Sequence, residues 1–89
     1  MLPKNRPPMH PGKLLGRILS EKEMTQRALA KKLDVSLQTV NTLINERRGM
    51  TAEMAVRLAR VFDTSAQLWM NLQTNHDLWL AQNAFLAHG

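Results

Sequence analysis

The stretch Thr25 to Gly49, TQRALAKKLDVSLQTVNTLINERRG, carries two apolar patterns of helical period separated by about three residues. That is less connection than a helical hairpin generally takes, so the two helices have to cross rather than run back along each other. The first runs from Gln26 to Leu33 and buries Leu29, Ala30 and Leu33. Thr25 is placed to cap it by accepting a hydrogen bond from an unpaired backbone N–H. Asp34 and Val35 make the bend, and Ser36 caps a second helix from Leu37 to about Asn45. A small Ala30 permits close crossing, Val35 plugs the corner, and Val40, Leu43 and Ile44 fasten the second helix to the first. This is the skeleton of a helix-turn-helix.

The outward face of the second helix has an uncommon composition. Gln38, Thr39, Asn41, Thr42 and Asn45 are neutral hydrogen-bonding residues, where a solvated helix face would be filled with Glu and Lys, which are better helix formers. Amides match the donor and acceptor pattern of base edges in a DNA major groove. Leu37, Gln38, Thr39, Asn41 and Thr42 are therefore expected to read bases. Gln26 and Arg27 at the start of the first helix, Ser36, Asn45, and the Arg47–Arg48 pair just after the second helix are expected to contact phosphate. Charge supports this placement. The net charge is +5, and Met1 to Arg48 holds ten Lys/Arg against four Asp/Glu, while Gly49 to Gly89 holds two against three. A basic half that coincides with the bend favours a polyanion.

Around this motif the chain has room for one small domain. Residues 1–9, rich in proline, are expected to form a flexible arm, and residues 10–86 the domain, with 87–89 as a tail. A first helix starts near Pro11 and buries Leu14, Leu15, Ile18 and Leu19; a fourth, Ala52 to about Phe62, is capped by Thr51 and buries Met54, Ala55, Leu58, Ala59 and Phe62. Ser65 caps a fifth helix whose main face is Leu68, Trp69, Leu72, His76, Trp79 and Leu80. Met70, Leu78 and Phe85 lie off that face, more apolar surface than a small domain covers, so a second copy of the chain is expected there. The expected interface residues are Trp69, Met70, Leu78, Trp79 and Phe85. The fold class is all-α with five helices.

Several chemistries lack support. There is no cysteine, no secretory leader pattern, and no apolar run of membrane-spanning length, so a cytoplasmic location is expected. His10, His76 and His88 are widely separated in sequence and lack paired-ligand spacing, so no metal is expected. The methionines and Trp69 and Trp79 read as packing groups. Arg57 and Arg60 read as a solvated face. His76-Asp77 point about 100° apart on a helix and no nucleophile motif or phosphate loop accompanies them; no enzyme activity and no cofactor are expected.

At the bend the sequence resembles the Xre/Cro-like helix-turn-helix domains, with Asp34 standing where relatives often have Gly. HPGKLL at His10 to Leu15 and RGMTAEMAVRLARVFDTSAQLWMNLQTNHDLWLA from Arg48 to Ala81 resemble the HigA antitoxin family, also known as virulence-associated protein I. Lys13 departs from the acidic residue common there, and His76 sits where an aromatic is frequent. The resemblance implies a lambda-repressor-like fold and a type II antitoxin. Such a protein is a homodimer that neutralises a HigB-like messenger-RNA endonuclease and represses its own operon by binding an inverted-repeat operator. A stand-alone Xre-family repressor without a toxin partner is the alternative.

Overall fold

Five helices account for nearly all of the fold, with no strand among the described residues: α1 (Pro11–Glu21), α2 (Gln26–Leu33), α3 (Leu37–Ile44), α4 (Ala52–Phe62) and α5 (Ala66–His88). The computed structural model describes residues 7–88, with side chains as far as Phe85. Residues 1–6 of the expected arm and Gly89 of the expected tail lie outside the described residues. Pro8 and Met9 are half-buried, and α5 carries helical backbone through Ala87 and His88, where a tail was expected.

Each helix begins on a side-chain cap. Thr25 Oγ1 accepts from the Ala28 N–H at 3.0 Å, Ser36 Oγ from Thr39 at 3.0 Å, Thr51 Oγ1 from Met54 at 3.2 Å and Ser65 Oγ from Leu68 at 3.0 Å. These four are the sequence-predicted caps, each worth about 1 kcal/mol. The fifth was not anticipated: His10 Nδ1 accepts from the Gly12 N–H at 2.9 Å. An imidazole can do this only while Nδ1 is unprotonated. His10 is 5% exposed, and its burial, followed by the neighbouring His76, pushes its pKa below the ordinary imidazole value, with Glu46 and Asp77 pulling the other way. The His10 and His76 rings meet edge to face, 4.9 Å between centroids.

Four helices end on a left-handed residue, and none of these is glycine: Glu23 (φ 52°), Asp34 (φ 58°), Glu46 (φ 61°) and Asp63 (φ 56°). After α2, the Asp34 N–H returns to the Lys31 carbonyl and the Val35 N–H to Ala30; after α3, Glu46 returns to Leu43 and Arg47 to Thr42. These paired bonds satisfy the carbonyls that a helix end leaves open. An L-residue in this conformation costs about 1–2 kcal/mol, and an acidic one also faces the negative end of the helix dipole. Asp34, which stands where relatives often have Gly, thus takes a positive φ.

The core is Leu15 and Leu19 of α1, Leu29, Ala30 and Leu33 of α2, Val40 and Leu43 of α3, Met50, and Met54, Ala55 and Leu58 of α4, closed by Trp69 of α5. Val35 packs half-buried against it in the bend. Gly12 is where α1 meets α3, and a Cβ there would run into the Leu43 carbonyl, so the crossing admits no side chain.

Trp69 requires a correction. It is 0% exposed and its Nε1 donates to Thr64 Oγ1 at 2.8 Å, so it belongs to the core of its own subunit and offers no surface to a second copy. The expected main face of α5 also divides. Leu72 packs on the core, but Leu68 is 39% and Leu80 48% exposed. Leu68 lies in the first turn of α5 and Leu80 in its C-terminal half, while Trp79, next to Leu80, is half-buried, so exposure on this face is not confined to one end of the helix.

Candidate nucleic-acid interface

The cap at Ser36 and the left-handed Asp34 fix how α3 leaves α2, and the burial of Val40 and Leu43 fixes its rotation about its own axis. The opposite face then has to point outward. Gln38, Asn41, Asn45, Arg47, Arg48 and Arg27 are exposed, Gln26, Thr39 and Thr42 are half-buried, and Leu37 is 38% exposed at the first turn of α3.

Two of the expected readers are engaged locally. Thr42 Oγ1 lies 2.9 Å from the Gln38 carbonyl and 3.1 Å from that of Thr39, so its single proton is directed back into the helix and it offers DNA only lone pairs and a methyl group. Ser36 Oγ and Thr39 Oγ1 bond each other at 2.8 Å. The amides, in contrast, form a chain across the surface. Asn45 Nδ2 donates to Asn41 Oδ1 at 3.1 Å, and Asn41 Nδ2 donates to Gln26 Oε1 at 3.1 Å. The i,i+4 spacing of Asn41 and Asn45 made the first link legible. The link to Gln26 crosses from α3 to α2 and has no local signature. Because each amide has two protons and two lone pairs, Asn41 keeps one donor and one acceptor for an outside partner.

The loop after α3 is held from two directions. The Arg47 N–H returns to the Thr42 carbonyl at 2.8 Å, and the Met50 N–H is received by Gln73 Oε1 of α5 at 2.6 Å. Arg47, at the first anchor, and Arg48, just after it, have exposed side chains. Arg57 departs from its reading as a solvated group: one Nη donates to the Leu33 carbonyl at 2.6 Å and the other to Glu53 at 3.1 Å, so it closes the C-terminal end of α2. Of the expected phosphate contacts, Gln26 and Arg27 lie at the start of α2, Ser36 in the bend, and Asn45, Arg47 and Arg48 at and after the end of α3, with Gln26 and Asn45 also in the amide chain.

Of the expected dimer residues, Leu78 is 53% and Phe85 77% exposed, while Met70 and Trp79 are half-buried. Among the described residues no group of three or more His, Cys, Asp or Glu is placed to hold a metal, and no helix is long and apolar enough to cross a membrane.

A family described as Helix-turn-helix matches residues 16–69. Virulence-associated protein I of Dichelobacter nodosus is 43% identical over 77 residues, 85% of this chain and 71% of that protein. Antitoxin HigA-1 of Vibrio cholerae is 33% identical over 81 residues, 90% and 76% of the two chains. The structure of Pseudomonas aeruginosa antitoxin HigA with the higBA promoter is similar with a TM-score of 0.83 at 50% identity, covering 86% of this chain and 85% of that one. With the amide face, the capped bend and five helices that superpose along nearly the whole length, the chain belongs to the HigA-type antitoxin family of Xre-like helix-turn-helix proteins.

Proposed function

We propose that the chain is the antitoxin of a type II toxin–antitoxin pair, a cytoplasmic homodimer that neutralises a HigB-like endonuclease and represses its own operon. The observation that carries the DNA half of this reading is the exposed amide face of α3, flanked by Arg27, Arg47 and Arg48. In this reading Leu37, Gln38, Thr39, Asn41 and Thr42 face base edges, and Gln26, Arg27, Ser36, Asn45, Arg47 and Arg48 face phosphate. The dimer half rests on the exposed Leu78 and Phe85, with the half-buried Met70 and Trp79 kept in it and Trp69 removed. A two-fold dimer presents two copies of α3 to successive major grooves about 34 Å apart, hence an inverted-repeat operator. With about three phosphates neutralised per subunit, affinity should fall by about 10³ or more between about 50 and 200 mM salt.

Co-purification with the product of the adjacent small open reading frame, weighed by light scattering, tests the toxin half. A stable complex holding even-numbered copies of this chain is the expected result; a dimer of this chain alone makes it a solitary repressor. For the DNA half, Gln38→Ala should relax discrimination between operator and scrambled duplex, whereas Arg47→Ala should weaken both alike. Discrimination untouched by Gln38→Ala would remove that residue from base readout.

A further inference from the structure

The loop from Asn45 to Met50 carries the two arginines, yet α3 holds only its beginning. Its far end is fixed by a side chain from α5. Gln73 Oε1 accepts the Met50 N–H at 2.6 Å, and Gln73 Nε2 donates to Asp77 Oδ1 at 2.8 Å, one turn further along the same helix. The carboxylate therefore fixes which way the amide is turned, since an inverted amide would set its NH2 against the Met50 N–H and its oxygen against the carboxylate. Gly49 lies so close that a Cβ there would stand 3.1 Å from the Gln73 amide carbon and oxygen. Amide and carboxylate form a strut from α5 to the loop, and Arg48 and Arg47 stand two and three residues before the Met50 N–H that it grips.

We infer that Gln73, braced by Asp77, is a positioning residue for DNA binding: it sets the path of the loop so that Arg47 and Arg48 meet phosphate. This rests on the proposed phosphate role of those arginines. Such a contact depends on placement, because a bidentate arginine fork gains little when its backbone wanders. Truncating Gln73 leaves both arginines in the chain but frees the loop that aims them.

Operator and scrambled-duplex affinities over a salt series test this, at a temperature where each variant's circular dichroism reports full folding. Gln73→Ala should weaken both duplexes alike by about tenfold and lower the slope of log affinity against log salt by about 1. In an Arg47→Ala/Arg48→Ala background the same change should have no further effect, because the groups it aims are gone. The exchange Gln73→Glu with Asp77→Asn keeps the net charge and both hydrogen bonds, with donor and acceptor reversed between residues 73 and 77, and should restore affinity; Gln73→Glu alone opposes two carboxylates and should not. Equal losses from Gln73→Ala with and without the arginines, or affinity unmoved by Gln73→Ala while the arginine variant loses it, overturns the inference and leaves the phosphate assignment standing. Arginine variants that bind as tightly as the parent overturn that assignment, and the inference with it.

Discussion

Between Pro11 and Phe62 no helix exceeds eleven residues, and each turns most of its apolar side chains into one shared core; α5 runs for 23 residues and leaves Leu78, Leu80 and Phe85 in solvent. The two regions are governed by different physics. In the first, each element is bounded by a cap and a left-handed turn, and its apolar stripe finds a neighbour within the subunit. Along α5 the residues packed on that core are Ala66, Trp69, Met70 and Leu72, all in its first turns. The chain measures 45 × 23 × 23 Å, an elongation that fits one long helix projecting beyond the bundle. In the proposed dimer these exposed apolar groups are the ones a second copy covers.

Substitutions can break this contrast, and the largest effect belongs to the junction between the regions. Trp69→Ala empties the centre of the core and should cost about 3–5 kcal/mol, read as the shift in urea midpoint. If it cost less than 1 kcal/mol and instead changed the assembly, Trp69 would belong with the exposed residues after all. Next comes Leu78→Glu combined with Phe85→Glu. Because both side chains are exposed, the subunit should keep its fold and helicity while light scattering falls from dimer to monomer mass; a mass unchanged by both charges would place the contact elsewhere.

A gain is expected at the left-handed caps. Asp34→Gly removes the steric cost of an L-residue with φ 58° and a like charge at a helix C-terminus, and should stabilise the fold by about 1 kcal/mol. For a domain of this size that is a rise in Tm of about 4–8 °C. A fall in Tm would mean that the Asp34 side chain holds the bend.

The smallest effect is the most specific. The native pKa of His10 is depressed, so the unfolded chain binds more protons than the folded one between that value and the unfolded value of about 6.5. Stability is therefore fully present above about pH 6.5 and declines as pH falls toward the depressed native value, with protonation of Nδ1 removing the cap. His10→Asn, which caps without titrating in this range, should flatten that part of the stability profile. A profile that stays as steep assigns the pH dependence to other groups.

Much of the first region was legible because its rules are local. Thr25, Ser36, Thr51 and Ser65 announce themselves by their place before an apolar pattern, and the outward amides follow once Val40 and Leu43 are buried. The His10 cap is not legible in the sequence because histidine is an uncommon capping residue, nor is the Arg57 contact, because a surface arginine gives no sign in sequence that a carbonyl 24 positions away is within reach. The links that complete the site, Gln26 to Asn41 and Met50 to Gln73, join residues far apart in the chain. On α5 helical spacing puts Leu68, Trp69 and Leu80 on one face without separating them: Trp69, also expected at the dimer interface, is buried, whereas Leu68 and Leu80 are exposed.

Helical period and capping act over a few residues, so the number of helices, four of their five caps, the sharp bend between α2 and α3 and the neutral face that α3 turns outward can be read from the residues alone. Tertiary structure alone decided which apolar groups of α5 are inside, how His10 meets His76, and how the arginine loop is tied to a helix that begins beyond α4. Those outcomes depend on where whole elements stop overlapping in space, and spacing along the chain carries no record of that.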